Sequence, residues 1–448
     1  MKKLLLFFAF TAYALQASAQ NTISLMDDVI FHDGYAAIVT TPAPPVGIIK
    51  HRNDLFARKL TTTELQSIGT TLEMNVTISA LCDNYDRIGG VNMALVPKGA
   101  SNYNPNNVQR IELGRFITPF MNKNIEPSSV PYNFNIDNIA MLLKDTSIIN
   151  HFDIWIELSA FGVPYAANTQ VAGCAGRNDV FIGKLEFVTN APAPIQNTNI
   201  LLPLYFNKDF NNYQAAATDT LGKTTKTLTF QVPVSVTEAS LFLITSNHGA
   251  NSGGEEYNRR FHYAYFDDAL KLAYKPGRLT CEPFRIYNTQ ANGIYGSSSK
   301  TDAAWQVFSN WCPGDVIDIR KIPLGAVTAG SHTFKIRVPT ATFVAGQGNI
   351  PLSLYFQGTT KLGTVLAVDA TKANQQFSIY PNPTNGQFTV ELSTDNAVIT
   401  VTNLLGKEVL KTKTTQKTSN LHLKDDGVYI VYVTTKQGTT TQKIVVNR

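Results

Sequence analysis

The sequence predicts an all-β protein of antiparallel sandwiches or jelly rolls, and three observations carry that prediction. Apolar residues alternate with a period of two: Thr71 to Ala80 sets Leu72, Met74, Val76 and Ile78 between polar partners, and Leu228 to Val232, Leu241 to Thr245 and Thr333 to Val338 form similar β-rich runs. No segment of roughly 12 or more residues holds a 3.6-residue apolar period, so crossover helices of the kind a parallel sheet needs are not expected. The runs are short and divided by turn residues, the punctuation of closed or layered antiparallel folds.

Taken along the chain, Met1-Lys2-Lys3, the apolar run Leu4 to Leu15 and Ala17-Ser18-Ala19 read as a secretory signal over residues 1–19. Without Lys2 and Lys3 the formal charge falls from +5 to +3, and no polybasic stripe exists, so a nucleic-acid partner is not expected. No later run reaches the roughly 18 apolar residues of a membrane span. The remaining residues are too many for one core, which points to several domains of about 100–200 residues each. Asn190-Ala191-Pro192-Ala193-Pro194 separates two β-patterned stretches, and the polar segment Thr371 to Gln376 precedes a third unit. The expected division is 20–190, 191–358, a linker at 359–376, and 377–448.

Four cysteines fit an exported chain with two disulfides. Their spacing matches no zinc pattern. Of three possible pairings, Cys82 with Cys174 and Cys281 with Cys312 keeps each bridge inside one expected domain.

Only 16% of residues are charged, so ionisable clusters stand out. Cys82-Asp83-Asn84-Tyr85-Asp86-Arg87 ends in an acid beside a base. In His151 to Leu158 the two-residue period puts Phe152, Ile154, Ile156 and Leu158 on one face and Asp153, Trp155 and Glu157 on the other. That second face fits either a solvated sheet surface or the wall of a sugar-stacking cleft. The same period from Glu256 onward aligns Glu256, Asn258, Arg260 and His262, a row that either satisfies itself through cross-strand pairs or lines a site.

The C-terminal unit opens on Phe377-Ser378-Ile379-Tyr380-Pro381-Asn382-Pro383 and carries Asn403-Leu404-Leu405-Gly406-Lys407 and Gly427-Val428-Tyr429-Ile430-Val431. It reads as a small Ig-like β-sandwich and resembles the C-terminal sorting domain of type IX secretion. The resemblance implies export through the periplasm to the medium or the outer cell surface, with the type IX machinery as a partner.

The clusters have an order. Cys82 to Arg87, then Glu112-Leu113-Gly114-Arg115-Phe116-Ile117-Thr118-Pro119, Trp155-Ile156-Glu157, Glu256-Tyr257 with Arg260 and His262, and Trp311-Cys312-Pro313-Gly314 resemble the bacterial peptide-N-glycosidase F family over residues 24 to 358. The resemblance implies two consecutive eight-stranded jelly rolls with a site in the cleft between them. It further implies a monomer, without metal or cofactor, that hydrolyses the amide joining the innermost N-acetylglucosamine to asparagine in glycoproteins or glycopeptides. By motif, Asp86, Glu157 and Glu256 correspond to the catalytic carboxylates. Arg87, Tyr85, Trp155, Tyr257, Arg260, His262 and Trp311 are expected to bind substrate or support them. Departures exist: Tyr85, Tyr257 and Ser159 stand where the best-known member has tryptophan, and Gly254 and Asn258 replace cysteines.

Two rival classes share this architecture. A non-catalytic glycan-binding double jelly roll would use the same surfaces. A copper monooxygenase of similar plan would need clustered histidine ligands, and the seven histidines include no His-x-His pair.

Overall fold

The structure, a computed structural model, describes residues 20–192, 197–210, 224–249, 254–291, 293–307, 309–341, 343, 348–361, 377–393, 395–403, 406–436 and 438–447. The expected leader at 1–19 and residues 362–376 of the expected linker lie outside the described residues.

Among the described residues nine strands lie in the first half of the chain: β1 (Asn21–His32), β2 (Ile48–Arg52), β3 (Leu55–Lys59), β4 (Leu72–Ala80), β5 (Ile88–Pro97), β6 (Gln109–Ile117), β7 (Ser129–Asn135), β8 (Phe152–Ala160) and β9 (Asp179–Thr189). Nine more follow: β10 (Asn197–Phe210), β11 (Thr225–Val232), β12 (Val236–Thr245), β13 (His262–Phe266), β14 (Ala269–Tyr274), β15 (Val316–Ile317), β16 (Arg320–Val327), β17 (Gly330–Arg337) and β18 (Ile350–Lys361). The sheets run β1-β9-β4-β7 and β15-β6-β5-β8-β3-β2 in the first sandwich, and β10-β18-β12-β16 and β11-β17-β13-β14 in the second. In the second sandwich successive strands cross back and forth between two four-stranded sheets, which is the jelly roll. The first repeats that order, with β2 and β15 added at the edges of one sheet.

The period-two reading of β4 holds residue by residue: Leu72, Met74, Val76 and Ile78 are buried and their neighbours are not. They join Phe31, Met93, Ile111, Ile156 and Phe187 in one apolar core. Leu241, Leu243, Phe334, Ile336, Leu354 and Phe356 anchor the second. The strand β18 runs to Lys361, so pairing with β10 continues past the expected linker start at 359.

The two sandwiches are joined by more than covalent linkage. Leu201, Phe242 and Tyr355 of the second belong to the core cluster of the first. Asn138 donates to the Tyr355 hydroxyl at 3.0 Å and to Gln357 at 2.9 Å. β15, although it lies in the sequence range of the second jelly roll, pairs with β6 of the first through Val316↔Phe116 and Ile317↔Arg115.

Over its described residues the C-terminal unit is a seven-stranded sandwich, with Phe377–Tyr380, Gln387–Leu392 and Thr418–His422 in one sheet and Glu408–Thr414, Ala397–Asn403, Gly427–Thr435 and Gly438–Val446 in the other. Phe388, Val390, Ile399, Val401, Val431, Val433 and Ile444 fill it. Among the described residues no helix is long and apolar enough to cross a membrane.

Candidate active site

Two loops from different jelly rolls meet at a cavity. The first, Cys82 to Arg87, lies between β4 and β5 and is fastened at nearly every residue. Cys82 is bonded to Cys174. Asp83, fully buried, accepts from the Tyr85 amide at 2.9 Å, the Val163 amide at 2.7 Å and Arg87 Nε at 2.7 Å. Thr118 Oγ1 receives the Arg87 amide at 2.8 Å and donates to the Tyr85 carbonyl at 3.1 Å. Asp86 is therefore carried on a rigid turn.

The second loop is a short 3-10 turn, Glu255–Tyr257. Asn310 holds it by donating its side-chain amide to the carbonyls of Glu255 (2.7 Å) and Glu256 and its backbone N–H to Glu256 (3.1 Å). The expected strand row from Glu256 to His262 does not form: those carbonyls are captured by Asn310 rather than by a sheet ladder, and β13 begins only at His262. The Cys281–Cys312 bridge ties down the segment that carries Asn310 and Trp311. Both disulfides match the pairing expected from the sequence.

The cavity between the loops is about 240 Å³ and is walled by Asp86, Arg87, Ile88, Ile117, Phe161, His248, Glu256 and Trp311. Burial drives the Asp86 carboxyl up to about 7, Glu256's charge raises it further within that value, and Arg87 opposes both. Burial likewise raises Glu256, against hydrogen bonds from the Tyr257 hydroxyl and the Gly249 amide. Two carboxyls raised by burial, one of them also by its neighbour's charge, are what acid–base chemistry requires. Among the described residues no group of three or more His, Cys, Asp and Glu gathers as a metal cage.

Of the residues singled out in the sequence, Asp86, Glu256, Arg87 and Trp311 line this cavity, and Tyr257 reaches it through Glu256. The others are placed elsewhere. Glu157, fully buried on β8, accepts from Tyr103 Oη at 2.7 Å, Asn92 at 3.1 Å and Arg110 at 3.3 Å, and does not line the cavity. Trp155 packs edge-on against Tyr103 at 5.4 Å. The face of β8 that bears both is thus neither solvated nor a cleft wall: the loop after β5 covers it. Arg87 clamps Asp83, not Asp86. Tyr85 leans on Phe120 with Arg87 over its ring. Arg260 pairs with Glu255 at 2.6 Å, and His262 is buried, stacked on Tyr274 and donating to the Arg260 carbonyl. Neither touches Glu256 or Glu157.

Sequence reasoning did not single out His248 or Phe161 as cavity residues. A lone histidine after the apolar run of β12 carries no spacing signal, although the polar break Ser246-Asn247-His248 marks a strand end. It also missed what Glu112 and Arg115 do: at 3% and 1% exposure they form a buried ion pair at 2.7 Å, and Arg115 continues to Ser246 Oγ, the Pro351 carbonyl and Asn207 in the second jelly roll.

Glu157→Gln should therefore lower the melting temperature, because Arg110 loses its charged partner, yet leave the pH profile of any activity in place. A thermal melt beside a rate–pH curve checks this; a shifted acid limb would put Glu157 in electrical contact with Asp86.

The family description "Peptide-N-glycosidase F, N terminal" matches residues 22–175, and "Peptide-N-glycosidase F, C terminal" matches residues 213–357. The chain belongs to the peptide-N-glycosidase F family. This member also matches the description "Secretion system C-terminal sorting domain" over residues 378–447, which assigns it to type IX secretion and hence to the cell surface or the medium. Its fold is similar to solved structures of PNGF-II (19% identity, TM-score 0.54, covering 77% of this chain and 66% of that one). It is also similar to PNGase F, a glycosylasparaginase from Flavobacterium meningosepticum (15% identity, TM-score 0.52, covering 77% and 97%). The peptide-N-glycosidase F family member thus spans just under two thirds of PNGF-II. At these identities the likeness is one of fold. No curated protein matches its sequence.

Proposed function

We propose that this protein is an exported amidase that hydrolyses the bond between the innermost N-acetylglucosamine and asparagine of glycoproteins or glycopeptides. The observation that carries the reading is the convergence of Asp86 and Glu256, from separate jelly rolls of a family member, on one cavity. The cavity is smaller than the ~300–1,000 Å³ of a typical ligand pocket, which suits one sugar and its amide rather than an oligosaccharide.

Asp86 acts as the general base. A base with its pKa near 7 is half ionised at neutral pH and strong enough to draw a proton from water as the water attacks the amide carbon. The same carboxyl returns that proton to the departing nitrogen. The carbon–nitrogen bond breaks, asparagine becomes aspartate, and the sugar leaves as a glycosylamine. Glu256, held by Tyr257 and the Gly249 amide, orients the water and keeps Asp86 basic by like-charge repulsion. Glu157 holds Arg110 and Tyr103 instead of taking part in the chemistry.

Mass spectrometry of an N-glycopeptide incubated with the purified protein tests the reading. Release of glycan with intact chitobiose, and a peptide heavier by about one dalton at the former asparagine, is the expected result. A hexosamine left on the peptide would make it an endoglycosidase, and binding without cleavage would leave a glycan-binding protein.

Glu256→Gln removes the negative neighbour, so Asp86 ionises more readily. The acid limb of kcat/KM for the residual activity should move below pH 7, and a limb that stays or rises contradicts the assignment of base.

A further inference from the structure

His248 stands just past the end of β12 and forms part of the wall of the cavity that holds Asp86 and Glu256. A chain of hydrogen bonds reaches it from behind, and chemistry fixes the direction of each. Arg115 donates twice to Glu112, at 2.8 and 2.7 Å, and once through Nη1 to Ser246 Oγ at 2.7 Å. A guanidinium has no acceptor, so the Ser246 oxygen accepts there. The oxygen keeps a second lone pair, but its single proton finds no acceptor among the described residues other than His248 Nε2, 2.7 Å away. Nε2 therefore accepts, and a neutral imidazole that accepts at Nε2 carries its hydrogen on Nδ1.

Burial, with the Arg115 charge second, lowers the ring's pKa to about 3 and keeps it neutral. A cationic ring in this cavity would pair with Asp86 or Glu256 and weaken the base. Nδ1 has no protein partner among the described residues and is not one of their sealed-off polar atoms, which leaves it as the ring nitrogen free to face the cavity that His248 lines.

Building on the amidase reading, we propose that His248 is a catalytic residue that presents a fixed Nδ1–H to the carbonyl oxygen of the scissile amide, with Ser246 and Arg115 as positioning residues that set its tautomer. As water adds to the amide carbon, negative charge gathers on that oxygen. A donor already aimed at it needs no reorganisation. Arg115 comes from the first jelly roll and Ser246 and His248 from the second, so the donor is in its working form only when the two are docked.

Carboxamide isosteres separate the two ring nitrogens: the amide nitrogen of asparagine falls near Nδ1, and that of glutamine near Nε2. His248→Ala should lower kcat by about 10²-fold, as loss of one oxyanion donor does, with little change in KM. His248→Asn should recover a large part of that loss and His248→Gln should not. Nitrogen-15 NMR of the full chain, with the His248 signals located by their loss in the variants, should show the Nδ1–H tautomer at neutral pH. In Ser246→Ala that signature should move toward Nε2–H, and in Ser246→Thr, which keeps the hydroxyl, it should persist.

Recovery by glutamine rather than asparagine, or an Nε2–H or cationic ring in an active parent chain, overturns the proposal alone. A parent chain that cleaves no glycopeptide removes the amidase reading and the catalytic role with it.

Discussion

Asp86→Asn should abolish glycan release while making the folded protein more stable. The carboxamide cannot take a proton from water, and loss of a general base costs about 10²–10⁴ in rate, so turnover should fall to that extent or further if Asp86 also returns the proton. Stability moves the other way. The Asp86 carboxyl is held at about 7 in the fold against an ordinary 3.8. The folded state therefore binds more protons than the unfolded chain between those pH values, and stability falls as pH rises through that window. Above pH 7 the whole cost is present, on the order of 4 kcal/mol at most. Asparagine carries no such charge. Thermal melts of the two proteins should coincide near pH 3.5, diverge as the pH rises, and differ most above pH 7 with the variant higher. A variant that melts lower than the parent at pH 8 would mean that Asp86 is held in its charged form by contacts that offset the burial.

The second large effect is expected at Arg115. Its guanidinium is fully buried, pairs with Glu112, and bonds to Ser246, Pro351 and Asn207 across the junction of the jelly rolls. Such a pair adds little compared with apolar residues of the same shape, because desolvation offsets its attraction. Breaking it is another matter, since one buried charge is left alone, at a cost of about 3–5 kcal/mol. Arg115→Met should show that loss in denaturant unfolding. Glu112→Gln combined with Arg115→Met should restore part of it, because the stranded carboxylate is gone. A single variant within about 1 kcal/mol of the parent would show that water reaches the pair.

What the sequence revealed and what it concealed divide along a physical line. Period-two burial in β4 is a local pattern, and it was legible because one face of a strand meets core and the other does not. The two disulfides were legible because few pairings were possible. The site was legible only in part. Asp86 and Glu256 were named by motif and share the cavity, but Glu157, named the same way, is turned into a pocket covered by Tyr103. The alternation from Glu256 to His262 looked like a strand until Asn310, more than fifty residues away in sequence, took its carbonyls. Arg115 bonds to a carbonyl 236 positions along the chain. Contacts of that span leave no periodicity to read, and a single histidine such as His248 leaves none either.

The two-residue strand β15 has a consequence for how this molecule could be divided. It is the outermost member of a sheet to which its own jelly roll does not otherwise contribute, and it shields the main-chain groups along part of β6. Cutting the chain at the proline-rich junction near residue 191 would strip that cover and leave an open strand margin able to recruit a second molecule. The paired jelly rolls are therefore best regarded as one inseparable piece in which the later half completes the earlier one.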